Sequence, residues 1–344
     1  MIGKQTAPKS WRLPAEWEPQ EAVQLTWPHP ATDWAPMLSD ITAVYRQMAS
    51  EIARRERLII VAPEGTAPDV DGAELLTCPT NDTWARDHAF LSLLDDDGHR
   101  RLLDYCFNGW GGKFEATLDN AINRHLYDSR LITGDYSDNL DFVLEGGSVE
   151  SDGKGTVFTT SACLLAPHRN EPFSRSDIEL RLINDFSAKR VLWIDHGLLT
   201  GDDTDGHIDT MVRVCPNDTL LYIGCDDTTD EHYEELQLME AQLRNFRTLS
   251  GQPYRLRKLP MPHPIYDADG ARLPATYANF LIINGAVLCP TYAQPDCDTE
   301  ALSIIAQAFP DREIIGIDCR PVIYQHGSLH CCTMQYPKTI KHND

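Results

Sequence analysis

Hydrophobic positions along the chain switch between two spacings, and the order of the switches repeats. Apolar residues run at strand spacing from Ala89 to Leu94 and from Arg101 to Tyr105, on either side of a DDDG turn, which predicts a hairpin. Leu118, Ile122 and Leu126 then fall on one helical stripe, predicting a helix from about Phe114 to Tyr127. A second hairpin is predicted from FVLEGGSVE and TVFTT, joined by SDGKG. After it, Ser174 and Asp177 are placed to cap a helix carrying Ile178, Leu182 and Phe186, and the strand VLWID follows.

The arrangement recurs twice more. HIDTMVRV pairs with TLLYIG across CPND, a helix starts near Thr228 with Glu231 in capping-box position, and YRLRKL closes the unit. NFLII and AVLCP meet at Asn284-Gly285, Asp298 is placed to cap a helix lined by Leu302, Ile305 and Phe309, and EIIGID ends that unit. At the start of the chain, AVQLTW, a helix striped by Ile41, Val44, Tyr45, Met48 and Ile52, and LIIVAP make a unit short of one strand. SLHCCTM near the other end can supply it. Four complete units and a fifth split between the termini predict an α/β protein built radially and closed into a ring. No low-complexity tract interrupts residues 1–344, so a single domain is expected.

Composition narrows the function classes. Thirty basic against 52 acidic residues leave a net charge of −22, which argues against nucleic acid or an anionic membrane as partner, because phosphate binding needs a basic face. No apolar run reaches the roughly 18 residues of a membrane span, and the N-terminal MIGKQTAPKSWRLPAEWEPQEA has no leader-like apolar stretch, so a cytoplasmic location is expected. Ten cysteines include no C-x-x-C pair, which leaves most of them as small buried hydrophobes.

Polar residues awkward for a core recur near the first strand of several units: Asp87 in WARD, Glu145 in LEGG, His207 and Asp209 in GHID, and the His330-Cys331-Cys332 run. On a strand, His207 and Asp209 would point to the same face. Gly146-Gly147 beside Glu145 is either a place where a ligand or backbone comes close or a plain bulge. Asp82, Arg86 and Asp87 surround Trp84, as a binding edge or as a loop held by an ion pair. If SLHCCTM is a strand, Cys331 and Cys332 face opposite sides and His330 shares the side of Cys332. A disulfide between neighbours requires a strained ring, and no ligand spacing supports zinc. A single nucleophilic thiol, with His and carboxylates brought from distant positions, is the remaining functional option, and periodicity does not choose between the two cysteines.

Taken together, LPAEWEPQEAVQLTWP, NDTWARD, NGWGG, LEGGSVESDGKGTVFTT, CLL…RNEPFS, GDDTDGHIDTM and HCCTMQYP resemble the agmatine deiminase family, also described as bacterial-type peptidylarginine deiminases, of the guanidine-modifying (pentein) superfamily. The resemblance runs along nearly the whole chain. It implies a five-bladed, pseudo-symmetric α/β propeller of ββαβ units, with a central site that uses neither metal nor cofactor. It also implies Cys331 as nucleophile, Asp87 and Asp209 as carboxylates gripping a guanidinium, Glu145 and His207 as the acid/base pair, and Asp203, Trp84 and Trp110 as further substrate contacts. Cys332 and His330 are then expected to be filler.

The implied reaction is hydrolytic deimination through a covalent amidino-thiol intermediate, with agmatine giving N-carbamoylputrescine and ammonia. Deimination of peptidyl-arginine or another small guanidine is the near alternative; a zinc-dependent hydrolase and a non-catalytic binding propeller are the distant ones. The expected partner is a small cationic guanidine, and a homo-oligomer is neither required nor excluded. Three positions depart from the family pattern. Asp205 stands in TDGH where TNGH is common, and in QHGSLHC His326 and Ser328 replace a glycine and an asparagine.

Overall fold

The computed structural model describes residues 10–340. The first nine residues of the stretch read for a leader lie outside them. The fold is mixed α/β, with five small sheets among the described residues. The sheets share one plan: an antiparallel pair is extended by a parallel strand that returns after helical structure.

The sheet that joins the chain ends decides the architecture. Thr333–Pro337 runs antiparallel to Gln20–Thr26, which is parallel to Arg57–Ala62, and Ala73–Thr77 extends the edge. The predicted split unit is therefore present. The helix Leu38–Ala53 buries the predicted stripe of Ile41, Val44, Tyr45, Met48 and Ile52. However, the strand assigned to SLHCCTM starts only at Thr333, and His330–Cys332 form a 3-10 turn ahead of it.

In the second sheet, Leu91–Asp95 pairs antiparallel with Arg100–Cys106, which is parallel to Asp135–Val143. The single helix predicted over 114–127 is broken into Thr117–Asn120 and Ile122–Asp128, and a separate turn, Gly109–Gly112, precedes it. The cause is competition by side chains for the backbone. Asn81 Oδ1 accepts from the Leu118 amide at 2.7 Å, Asp119 accepts from the amides of Asn81 and Asp82, and Asn120 Oδ1 accepts from Phe107 N. Leu118 is exposed as a result.

The third sheet joins Val149–Ser151, Thr156–Thr160 and Arg190–Ile194. Phe142 and Val143 belong to the strand before it, because a 3-10 turn at Gly146–Ser148 interrupts the predicted hairpin arm. Its helix, Arg175–Phe186, opens on the predicted capping box, Ser174 with Asp177. In the fourth sheet, Val212–Cys215, Thr219–Ile223 and Arg255–Leu259 align as read, but the helix begins at Tyr233. Asp227 and Asp230 capture the amides of Thr229 and His232 and delay it, while Glu231 pairs with Arg272 instead of capping. The fifth sheet contains Leu281–Ile283, Ala286–Thr291 and Glu313–Asp318, with the helix Pro295–Ala308. Asp298 lies inside that helix and accepts from the amides of Tyr292 and Gln294, so it anchors the incoming loop.

Leu25 and Ile60 of the terminal sheet share one apolar cluster with Leu221 and Leu288 of the fourth and fifth sheets, which ties both chain ends into the core. No helix among the described residues is long and apolar enough to cross a membrane. The Ser174 cap is exposed and distant in sequence from the polar junctions, so Ser174→Ala is expected to lower stability by about 1 kcal/mol. A calorimetric scan should show Tm falling by on the order of 2 °C, with the fold and any activity unchanged.

Candidate active site

Each passage from one sheet to the next carries a buried polar side chain. Asp87 lies in the single turn Ala85–His88 between the terminal and second sheets, and Glu145 precedes the turn that opens the third. His207 and Asp209 lie on the way into the fourth sheet, Asn279 just before the fifth, and Cys331 on the way back to the terminal sheet. All six are buried. His207 and Asp209 do not lie on a strand, as alternation had suggested; His207 precedes the 3-10 turn Ile208–Thr210, which contains Asp209.

Gly147 shows how tightly three of these side chains converge. A methyl group on its Cα would lie 2.6 Å from His207 Nδ1, 2.9 Å from Asp87 Oδ1 and 3.1 Å from Asp209 Oδ2. At Gly146 the same atom would strike the Arg86 carbonyl at 2.2 Å. The glycine pair is therefore a close approach on both residues, one to backbone and one to the polar cluster.

Asp87 is held by Gly147 N, which donates to Oδ1 at 3.1 Å, and by Trp110 Nε1, which donates to Oδ2 at 3.0 Å. Asp209 Oδ2 accepts from His330 Nδ1 at 2.7 Å, and its Oδ1 has no hydrogen-bond partner. The Cys331 thiol is 3.4 Å from Asn279 Oδ1 and 3.9 Å from Asp209 Oδ2. Neither ring nitrogen of His207 has a nitrogen or oxygen hydrogen-bond partner; its Nδ1 lies 3.6 Å from Asp87 Oδ1, and Cys163 is its sulfur neighbour. Glu145 has one oxygen bonded to Arg169 Nε at 2.8 Å and the other unpartnered. A buried polar atom is costly to leave unpaired, so these oxygens and ring nitrogens are available to a polar ligand or to water.

The electrostatics follow from burial among carboxylates. Burial opposes a charge on His207, but Asp87, the neighbouring Cys163 and Glu145 outweigh it and hold the imidazole well above its usual pKa. Burial lifts Asp87 to about 6, with Asp209 and Glu145 adding to the rise and His207 opposing it. Burial acts on Asp209 as well, yet the His330 hydrogen bond, His330 itself, His207 and Arg213 bring its pKa below the usual carboxylate value. Burial, Asp209 and Asp87 all push the Cys331 thiol well above the ordinary thiol range.

A cavity of about 160 Å³ opens onto Asp87 and Cys331. Asp33, Asp82 and Asp203 add three carboxylates to its lining, and Trp84 and Trp110 supply aromatic walls. Trp84 Nε1 donates to Asp82 Oδ2 at 3.0 Å, and its ring fills the space that a side chain at Gly327 would need. All three further contact residues implied by the resemblance, Asp203, Trp84 and Trp110, therefore line this cavity.

His330 corrects an expectation, because it is not filler. Its two nitrogens reach Asp209 and, at 2.8 Å, Glu16, which also receives Arg213 and Arg86. Cys332 is fully buried, with its sulfur 3.4 Å from the Ser328 carbonyl. Sequence reading passed over Asn279, Arg169 and Glu16 as individual residues. Asn279 occupies the place before a first strand that had singled out the others, so that signal was available. Arg169 and Glu16 lie in the RNEPFS and LPAEWEP stretches that carry the resemblance, but no apolar spacing around them singles out either residue.

The departures from the family pattern also have places. Asp205, at φ 65°, receives Arg169 Nη1 at 2.6 Å and Lys113 Nζ at 2.8 Å, joining the Glu145 partner to the turn that carries Trp110. His326 lies at the cavity mouth with Nδ1 2.7 Å from the Gly201 carbonyl. Ser328 is buried against the Tyr292 hydroxyl at 3.3 Å.

Gly147→Ala is expected to fold but lose about two orders of magnitude in turnover, because a 1 Å intrusion where reacting groups must meet has that effect. Circular dichroism and steady-state kinetics check it, and retained turnover would mean that the space over Gly147 is not where substrate binds.

Residues 12–337 match the Porphyromonas-type peptidyl-arginine deiminase family. An agmatine deiminase of Pseudomonas aeruginosa is 32% identical over 96% of this chain and 96% of its own length. A solved structure of the putative arginine deiminase from Porphyromonas gingivalis superposes with a TM-score of 0.89 at 50% identity, covering 95% of this chain and 98% of that one. Agmatine deiminase of C. jejuni with substrate bound gives a TM-score of 0.90 at 34% identity, covering 98% and 99%. The chain belongs to the Porphyromonas-type peptidyl-arginine deiminase family and is a hydrolase acting on guanidino C–N bonds.

Proposed function

We propose that the chain deiminates agmatine to N-carbamoylputrescine and ammonia through a covalent intermediate on Cys331. The observation that carries this is the convergence of Asp87, Asp209 and His207 over Gly147, with the Cys331 sulfur 3.9 Å from Asp209. A guanidinium is planar and needs in-plane acceptors on its N–H edges. The unpartnered Asp209 Oδ1 and Glu145 Oε2, together with Asp87, supply acceptors that water would otherwise have to satisfy.

The chemistry follows from the charge states. The delocalised guanidinium carbon is a weak electrophile, so a strong nucleophile held against it is required. Entry of the cation offsets Asp87 and Asp209 and favours ionisation of the Cys331 thiol, whose proton leaves to solvent or a neighbouring base. The thiolate adds to the guanidinium carbon and forms a C–S bond. Charged His207 gives its proton to the departing nitrogen; the C–N bond breaks, ammonia leaves, and an amidino-thioether remains on the enzyme. The neutral imidazole then takes a proton from water as that water adds to the same carbon. Collapse breaks the C–S bond, releasing the ureido product and the Cys331 thiol. Arg169 holds one oxygen of Glu145 in place beside these steps, and no step draws on a metal or cofactor.

Agmatine is favoured over peptidyl-arginine by the cavity lining. Asp33, Asp82 and Asp203 suit a second cation at the far end of the substrate, whereas a peptide brings neutral amides there. We also read the five sheets as blades of one closed five-bladed α/β propeller forming a single catalytic domain. The terminal sheet that unites both chain ends supports this, as does the polar residue contributed by every junction.

A panel of agmatine, arginine and blocked arginine peptides, scored for ureido product and ammonia, is expected to give kcat/KM highest for agmatine. Peptide turnover with agmatine inert would overturn the assignment. Because the raised pKa of Cys331 keeps the thiol protonated in the free enzyme, iodoacetamide inactivation should stay slow at neutral pH. Its rate should still be climbing above the roughly 8.5 of a free thiol. A plateau below that pH would refute activation by substrate.

A further inference from the structure

Cys163 enters none of these steps, yet it lies against two groups that do. We propose that Glu145, Cys163 and His207 form an inhibitory site for a thiophilic divalent cation, zinc above all. One carboxylate oxygen, one sulfur and one imidazole nitrogen lie within 4.8 Å of one another, and all three residues are buried. Two of them offer donor atoms with no nitrogen or oxygen partner: Oε2 of Glu145 and both ring nitrogens of His207, which faces Cys163 itself. The other Glu145 oxygen stays on Arg169, which orients the free one. A carboxylate, a thiolate and an imidazole are the ligand types zinc takes, and three protein ligands leave a fourth position for water.

The trio is held in place independently of any metal. Cys163 sits in the single turn Ser161–Leu164, where its amide donates to Thr160 Oγ1 at 3.3 Å. The same hydroxyl donates to the Gly206 carbonyl at 2.6 Å, one residue before His207. Thr160 therefore fixes the distance between the cysteine turn and the histidine turn. Tetrahedral zinc needs ligand atoms roughly 3.3 to 3.6 Å apart, given its bond lengths, so side-chain rotations of about 1 Å complete the set. Four carboxylates in the cavity draw a dication inward, and His207 lies one side chain beyond the cavity, 3.6 Å from Asp87.

Binding removes His207 from proton transfer, so zinc inhibits. Inhibition rests on the role proposed for His207; binding does not, and the two are measured separately. A second trio, His263, Asp296 and Cys297, lies near the surface and is removed by working in a Cys297→Ser background.

In that background, chelator-treated protein is titrated with Co2+, and thiolate-to-cobalt charge transfer is followed in the near ultraviolet. The band is expected to persist in Cys331→Ser, to disappear in Cys163→Ser and to weaken in Glu145→Gln. Zinc should inhibit the parent at least about tenfold more tightly than Cys163→Ser, each measured against its own turnover, and chelator should restore activity; that ratio corresponds to about 1.4 kcal/mol. A band lost in Cys331→Ser and kept in Cys163→Ser would overturn the site, as would no band in the parent. If Cys163→Ser does not fold, an unchanged band in Glu145→Gln would overturn it instead. If the band behaves as expected but zinc does not inhibit, the site stands and the role of His207 falls.

Discussion

Carboxylates buried together dominate this molecule. Asp87, Glu145 and Asp209 sit in one buried cluster, and an isolated buried carboxylate would protonate rather than stay charged. Compensation comes from several directions. Arg169 covers one edge of Glu145, the His330 ring donates a hydrogen bond to one edge of Asp209, and His207 faces Asp87. Behind them Glu16 gathers His330, Arg213 and Arg86. One oxygen of Glu145 and one of Asp209 remain without a protein partner, so both can accept from the N–H groups of a cation brought in beside Asp87.

This balance explains why the fold must bring distant segments together. Glu16 and His330 are 314 residues apart, and Arg213 lies 197 from Glu16. The terminal sheet, where Thr333–Pro337 lies beside Gln20–Thr26, fixes the two ends of that network. Turns, rather than strands, then aim the site residues: Asp87, Asp209 and Cys331 all lie in single helical or 3-10 turns, and His207 directly precedes one. Such turns release side chains from the two-faced alternation of a sheet, so adjacent residues such as Cys331 and Cys332 can have unlike surroundings.

Two of the departures from the family pattern, Asp205 and His326, are partly exposed, whereas Ser328 is buried. Asp205 adds a carboxylate, but Arg169 and Lys113 both neutralise it, so it adds connection rather than net charge to the cavity. Through these two partners it links the support of Glu145 to the turn carrying Trp110, whose indole holds Asp87. His326 takes a left-handed backbone conformation that glycine adopts more easily, and its ring is tied to Gly201.

Much of the architecture was legible because apolar spacing is a local record of burial. The hairpins around DDDG, CPND and Asn284-Gly285, the Ser174 capping box and the stripe of the helix Leu38–Ala53 all reappear in place. The predicted helix over 114–127 failed because Asn81, far away in sequence, reaches its backbone, which no periodicity within 114–127 encodes. At the site, the chain alone marked Asp87, Glu145, His207, Asp209 and Cys331 as polar residues in apolar company, and resemblance selected Cys331 over Cys332. Only the tertiary structure made His330 the partner of Asp209, brought Arg169 and Glu16 to the cluster and put Cys163 beside His207. A residue type and its spacing specify the chemistry it offers, whereas charge pairing and proton affinity depend on which groups share its low-dielectric surroundings, and folding alone chooses them.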